Sequence, residues 1–253
     1  MGRTTATAKP DADAHRQAQD LIGRAAQSQR RDVAKALAGR RSAPRLLRMI
    51  RGALARVDKT IARANKRSPP PLPIACGPRC PYCCHIRVTA SPPEVLLVAD
   101  HLRRTWPAER LAALRRKLAN LDGLTRGRDA ETREAMRLPC PLLVDNSCGI
   151  HPVRPISCRG VASVDVAACR RSYASRMAEP VPQVALQANA ANGVGYGLIA
   201  GLGDAGFPVE NVELIAGLRI ALETDDATQR WLAGEPLFRP ATWTAANNPR
   251  DRQ

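Results

Sequence analysis

All eight cysteines of this 253-residue chain lie between residues 76 and 169. The first group reads Cys76-Gly-Pro-Arg-Cys80-Pro-Tyr-Cys83-Cys84, and the second contains Cys140, Cys148 and Cys158, followed by Cys169. Thiols two or three residues apart suit a metal, because one short loop wraps the ion and aims both sulfurs at it. The Gly and Pro residues around them permit tight turns and leave backbone N–H groups free to hydrogen-bond sulfur. This pattern constrains the fold directly: two irregular loops must converge, and regular structure is left to frame them.

Eight thiols suit two four-coordinate zinc ions, one iron–sulfur cluster with spare thiols, or a binuclear site. Cys83 and Cys84 are adjacent, so in an extended backbone their side chains diverge and serve different ions, or one of them bridges. A zinc ion held by four thiolates is net negative. Arg79, Arg87, Arg154, Arg159, Arg170 and Arg171 all lie within four residues of a thiol and are candidates to offset that charge. His85 follows Cys84, and His151 stands between two cysteines, which makes both candidate additional ligands.

Disulfides are the competing use of paired cysteines, and the compartment decides between them. The start, Met1-Gly2-Arg3-Thr4-Thr5, leads into polar sequence and not an apolar signal core. The uncharged run 180–203 contains Gln183, Gln187, Asn189 and Asn192 and five glycines, too polar for lipid. A cytoplasmic protein with no transmembrane segment is expected, and with it reduced, metal-binding thiols.

Charge is unevenly spread. Residues 1–75 contain 17 Lys/Arg against 5 Asp/Glu, a net of +12, whereas residues 76–253 contain 22 against 18, a net of +4. Such a basic segment attracts nucleic acid when it is concentrated on one face. No nucleic-acid-reading motif accompanies it, and a solvated helix face accounts for the same residues.

Apolar positions Ala18, Leu21, Ile22, Ala25, Val33, Ala36 and Leu37 recur at helical spacing over 11–40. Leu46, Leu47, Ile50, Leu54, Val57 and Ile61 mark a second helix, and the two predict a hairpin joined near residues 39–44. The proline run Ser68-Pro69-Pro70-Pro71-Leu72-Pro73 ends helical structure there. It divides the chain into a basic N-terminal helical extension, 1–75, and a cysteine-cluster domain with flanking helices, 76–245. Ser91-Pro92-Pro93-Glu94 reads as a capped helix start. Leu111, Leu114, Leu118 and Leu121 mark another helix ending near Gly123, and residues 129–137 a short charged one. Leu142-Leu143-Val144 before Asp145-Asn146-Ser147 predicts a strand and turn. The small-residue run 184–202 predicts a helix packed closely on a neighbour. Pro208 opens a last helix with Val212, Ile215, Leu218 and Leu222 on one face, and the tail after Trp243 is expected to fray.

The run Cys-x3-Cys-x2-Cys-Cys, then Pro-Cys-Pro-Leu-Leu, then Cys148-Gly-Ile-His-Pro-Val-Arg-Pro-Ile-Ser-Cys158-Arg, resembles the YkgJ-type cysteine-cluster family, a zinc- or iron-chelating domain with a CxxCxxCC signature. The resemblance covers roughly residues 76–170. Ile150, Arg154, Pro155, Cys158 and Arg159 fall where the family pattern places them. The chain departs from it in the first spacing, three residues in place of two, and at His151, where Tyr is commoner. The resemblance implies metal chelation and names no substrate.

Gly201-Leu-Gly203-Asp-Ala-Gly206 fits a dinucleotide-binding string but lacks a surrounding strand–helix–strand unit, so a helix end explains it. His15 and His101 read as helix-surface residues, and Asp145 and Asp165 as backbone caps. No paired-carboxylate or Ser/His/Asp arrangement supports an enzyme. The expectation is therefore a mainly α fold with irregular, cysteine-rich metal-binding loops and at most a short β-hairpin. Cys76, Cys80, Cys83, Cys84, Cys140, Cys148, Cys158 and Cys169 bind zinc or iron, with an iron–sulfur cluster as one form. Two other classes stay open: a nucleic-acid-associated protein with a structural zinc core, and a redox or modifying enzyme built on an iron–sulfur cluster.

Overall fold

A computed structural model describes residues 12–39, 41–208 and 210–242. The N-terminal segment before Ala12 and the tail from Trp243 lie outside the described residues, so the reading of each stands on sequence alone. Within the described residues the chain is mainly α, with ten α-helices and two small antiparallel sheets of two strands each.

Helices α1 (Ala12–Leu37) and α2 (Ala43–Arg67) form the expected hairpin. Its turn uses Gly39 at φ 66°, a left-handed conformation that glycine adopts without a Cβ penalty. Both helices pack against α8 (Ala185–Asp204), which supplies the close neighbour that its small residues anticipate. The second layer consists of α3 (Pro92–Thr105), α4 (Ala108–Thr125) and α9 (Leu214–Glu223), and α2 meets α3 where the layers join. One apolar cluster runs through both: Leu46, Ile50 and Val57 share it with Leu97, Leu118, Leu198 and Leu218. The apolar core thus continues across the proline run near residue 70.

Glu94 fixes the start of α3. Its Oε2 accepts from the Ser91 amide at 2.8 Å and the Ser91 hydroxyl at 2.7 Å, so the expected cap is present. Its Oε1 accepts from the amide of Ile156 at 2.8 Å, the first residue of α6 (Ile156–Gly160). One buried carboxylate therefore holds the beginnings of two helices in register, satisfying donors that a helix start leaves open.

The predicted strand and turn form a hairpin of β2 (Leu143–Val144) and β3 (Ser147–Cys148). Asp145 and Asn146 both have positive φ, 47° and 60°, the two-residue turn that follows strand twist and favours Asn and Asp. The other sheet pairs β1 (Thr89–Ala90) with β4 (Val212–Glu213) across the chain. Val212 thus sits in a strand and not on the last helical face, and α9 begins two residues later. Pairing with Ala90 overrides the helical spacing there. Three further short helices complete the chain: α5 (Ala130–Ala135), α7 (Val166–Ala174) and α10 (Ala227–Leu232). The GxGxxG-like string is the C-terminal end of α8 with Gly206 at φ 78° beyond it, a helix stop. Among the described residues no helix is long and apolar enough to cross a membrane.

Candidate metal centre

The first cysteine stretch is held mainly by hydrogen bonds: residues 65–89 include no fully buried residue. The amide of Ala75 donates to the Ser163 carbonyl at 2.9 Å, and the Ser163 amide donates to Cys76 Sγ at 3.3 Å. A turn with Arg79 at φ 63° brings the Cys80 amide to the Gly77 carbonyl. A single 3-10 turn, Tyr82–His85, then carries Cys83 and Cys84. The amide of Cys140 donates to the Cys84 carbonyl at 2.7 Å, joining the two stretches directly.

The second stretch is anchored in the core. Leu142, Ile150, Val153 and Ile156 are buried in the main apolar cluster. Cys158 lies on α6, which packs on α8 and α2. Arg159 beside it is buried and donates through Nη1 to both oxygens of Asp58 on α2, at 2.6 and 2.8 Å. It also donates to the carbonyls of Pro152 at 2.8 Å and Arg154 at 3.0 Å. Replacing Asp58 with alanine leaves this buried cation facing two carbonyls alone. Because the Asp58 side chain is 54% exposed, water replaces part of what is lost. A destabilisation of about 1–2 kcal/mol is expected by denaturant titration, below the cost of breaking a fully buried pair. An unchanged midpoint would refute the tether.

Cys83, Cys84, Cys140, Cys148 and Cys158 line one cavity of about 140 Å³, with Ile86, Leu142, Ile150 and Leu214 as apolar wall. All eight cysteines are free, Cys76 and Cys83 exposed and the other six half-buried. Burial pushes Cys140 up to about 11, and raises Cys158 further with help from Cys140, Cys148 and Cys83. A hydrogen bond with Cys84, then loss of water on the side facing the cavity, raises Cys83 strongly. Cys148 is raised by burial as well. The guanidinium of Arg154 opposes these shifts at Cys83, Cys148 and Cys158. Its Nε is buried with no hydrogen-bond partner among the described residues.

Cys76, Cys80 and Cys169 form the outer group. Cys169 lies on α7, and Cys76, Cys80 and Cys83 are the neighbouring thiols that raise it, after burial. Cys83 thus stands between the inner and outer groups. Asp165 caps α7 by accepting from the Ala168 amide at 2.9 Å, the backbone role expected of it. His85 bonds the Pro81 carbonyl through Nδ1 at 3.0 Å, and its ring meets Tyr173 edge-on at 4.7 Å. His151 is exposed beside Arg154 and Arg159.

The donor set fits a thiophilic metal. Soft sulfurs from both stretches line one cavity, without a disulfide among them, and a cation stands beside them. Among the described residues no group of three or more His, Cys, Asp or Glu side chains is placed to hold one ion, so the thiols must draw closer for a metal to bind. Of the six arginines near thiols in sequence, Arg87 and Arg154 line the cavity. Arg159 is engaged by Asp58, Arg170 donates to the Tyr82 hydroxyl at 3.3 Å, and Arg171 pairs with Glu179 at 3.4 Å.

The basic N-terminal helices spend much of their charge internally. Arg30 holds Asp204 at 2.5 and 2.8 Å, Arg51 holds Asp100 at 3.0 Å, and Arg56 holds Asp32 at 2.6 Å and the buried Gln29. Arg45 donates to the Lys35 carbonyl at 2.8 Å, and Arg41 to that of Ala205 at 3.2 Å. No protein-family model, no curated protein and no solved structure matches this chain.

Proposed function

We propose that the chain is a metal-binding protein that chelates zinc or iron through cysteine thiolates. Cys83, Cys84, Cys140, Cys148 and Cys158 supply the inner ligands; Cys76, Cys80 and Cys169 supply an outer set. The observation that carries the reading is the shared cavity, where thiols from two separate stretches meet on apolar walls beside Arg154. Bare thiols with raised pKa values stay protonated near neutral pH, so a divalent cation that binds there displaces protons as it recruits thiolates. Arg154 and Arg87 offset the negative charge of the loaded centre, and the apolar wall limits water. The run of residues resembling the YkgJ-type cysteine-cluster family supports the same reading. The nucleic-acid alternative is the weaker of the two, since five arginines of α1, α2 and their junction already have partners in the chain.

Elemental analysis with an absorption spectrum on anaerobically purified protein tests this. Stoichiometric zinc in colourless protein supports a structural thiolate centre. Iron with sulfide and a broad visible absorption supports an iron–sulfur cluster and moves the reading towards redox chemistry. Protein that is folded and carries neither metal, and takes up neither when reconstituted, overturns it.

A further inference from the structure

A second cavity, of about 50 Å³, adjoins the first, with Arg87 lining both. Its charged wall consists of Arg87, Arg126, Arg128, Arg133, Asp122 and Glu213, four cations against two carboxylates. Arg133, on α5, is 2% exposed, and its Nε and Nη1 are buried with no hydrogen-bond partner among the described residues. An unsatisfied buried cation is costly unless an anion completes it. Glu213 and Glu134 attract the Arg133 charge from nearby, and one oxygen of each wall carboxylate is already engaged. Asp122 Oδ2 accepts from Arg126 at 2.5 Å and Arg219 at 3.1 Å, and Glu213 Oε2 accepts from the Ala216 amide at 2.9 Å. One water needs roughly 10–15 Å³ of such space. The cavity therefore has about three to five water-sized positions, the number of oxygens in a small oxyanion.

We propose that this cavity binds a protonated oxyanion of the phosphate type, free or as the head of a phosphomonoester. Arg133 donates an otherwise unused N–H to one of its oxygens. The second carboxylate oxygen, Asp122 Oδ1, is buried and also without a hydrogen-bond partner among the described residues. It accepts the proton that hydrogen phosphate carries and sulfate lacks. The pairing of an unused donor with one unused acceptor selects phosphate over sulfate. The inference stands apart from the metal reading and needs no metal to test.

The full-length chain is melted with inorganic phosphate, phenyl phosphate or sulfate at matched ionic strength, so that the net positive charge of the chain contributes equally. Ligand that binds only the folded state raises the melting temperature. Phosphate at about 10 mM is expected to raise it by several degrees and sulfate by less than half as much. The larger shift between the inorganic ion and the ester names the source. Arg133→Met, which removes the charge while keeping bulk, is expected to abolish the phosphate-specific part of the shift. Asp122→Asn is expected to level phosphate and sulfate, because an amide donates as well as accepts. Equal shifts with phosphate and sulfate in the unaltered protein, or an undiminished phosphate-specific shift in Arg133→Met, would mean that the cavity holds water only. Should Arg133→Met not fold, equilibrium dialysis on the unaltered chain decides: a phosphate preference below about tenfold overturns the proposal.

Discussion

On the proposed chelating reading, Cys158→Ser is expected to lose most of the bound metal, whereas Cys76→Ser loses far less. The difference lies in what holds each sulfur. Cys158 sits on α6, whose start is fixed by Glu94 and whose next residue is tied to Asp58. Its thiol lines the inner cavity on a helix whose place is set before any ion arrives. Losing so preorganised a ligand costs at least about 100-fold in affinity, since altering groups that merely support a ligand already costs 10–100-fold. Cys76 is exposed, on a segment without buried side chains, so little of its geometry is prepaid. The same contrast predicts the effect of chelation. Amide hydrogen exchange should accelerate across residues 74–86 and change little in α1, α2 and α8, because this stretch has no fully buried side chain. Unchanged metal content in Cys158→Ser, measured by elemental analysis, would remove the inner site. Uniform loss of protection along the chain would show that metal supports the whole fold and not one segment.

The sequence announced the elements that carry strong periodicity or strong local chemistry. The apolar stripe of α2, the Ser91–Glu94 start of α3 and the Asp145-Asn146 turn are visible because each rests on neighbours within a few residues. Helices α6 and α7 escaped notice. They have five and nine residues, too few for a period to register, and they persist through tertiary contacts and the Asp165 cap. The pairing of Val212 with Ala90 has no local signature either.

The site was legible as composition and spacing but not as an arrangement. Spacing nominates eight thiols equally, and the fold sorts them into five around a cavity and three outside it. Sequence proximity also nominates six arginines as counter-charges; Arg159 instead joins two helices. The cavity proposed to take an oxyanion gave no signal, since Arg133, Asp122 and Glu213 come from three separate elements and each looks like an ordinary surface charge.

The largest stability effect without loss of a ligand is expected from Gly197→Ala. On α8 the glycines 193, 197 and 201 recur every four residues and form one stripe against α1. A Cβ at Gly197 would lie 2.1 Å from the carbonyl oxygen of Ala26 and 2.8 Å from its carbon. Both are backbone atoms, so no side chain can rotate away and the helices must separate. Overpacking costs about 1–3 kcal/mol even where side chains yield. About 3 kcal/mol is expected here, after the gain of up to about 1 kcal/mol from removing a helical glycine. Gly195 on the same helix is the control. Its Cβ would meet Ile156 at 3.7 Å, an ordinary contact, so Gly195→Ala keeps the propensity gain and is neutral or stabilising by about 0.5–1 kcal/mol. In thermal melts the two variants should differ by roughly 5–15 °C for a chain of this size. The strain also reaches the thiols, because α8 carries α6 through a tight contact in which a Cβ at Gly160 would approach that of Ala191 to 2.9 Å. Displacing α8 moves the platform beneath Cys158, so metal retention should fall in Gly197→Ala and hold in Gly195→Ala. Equal melting temperatures for the two variants would show that α1 and α8 do not meet along this stripe.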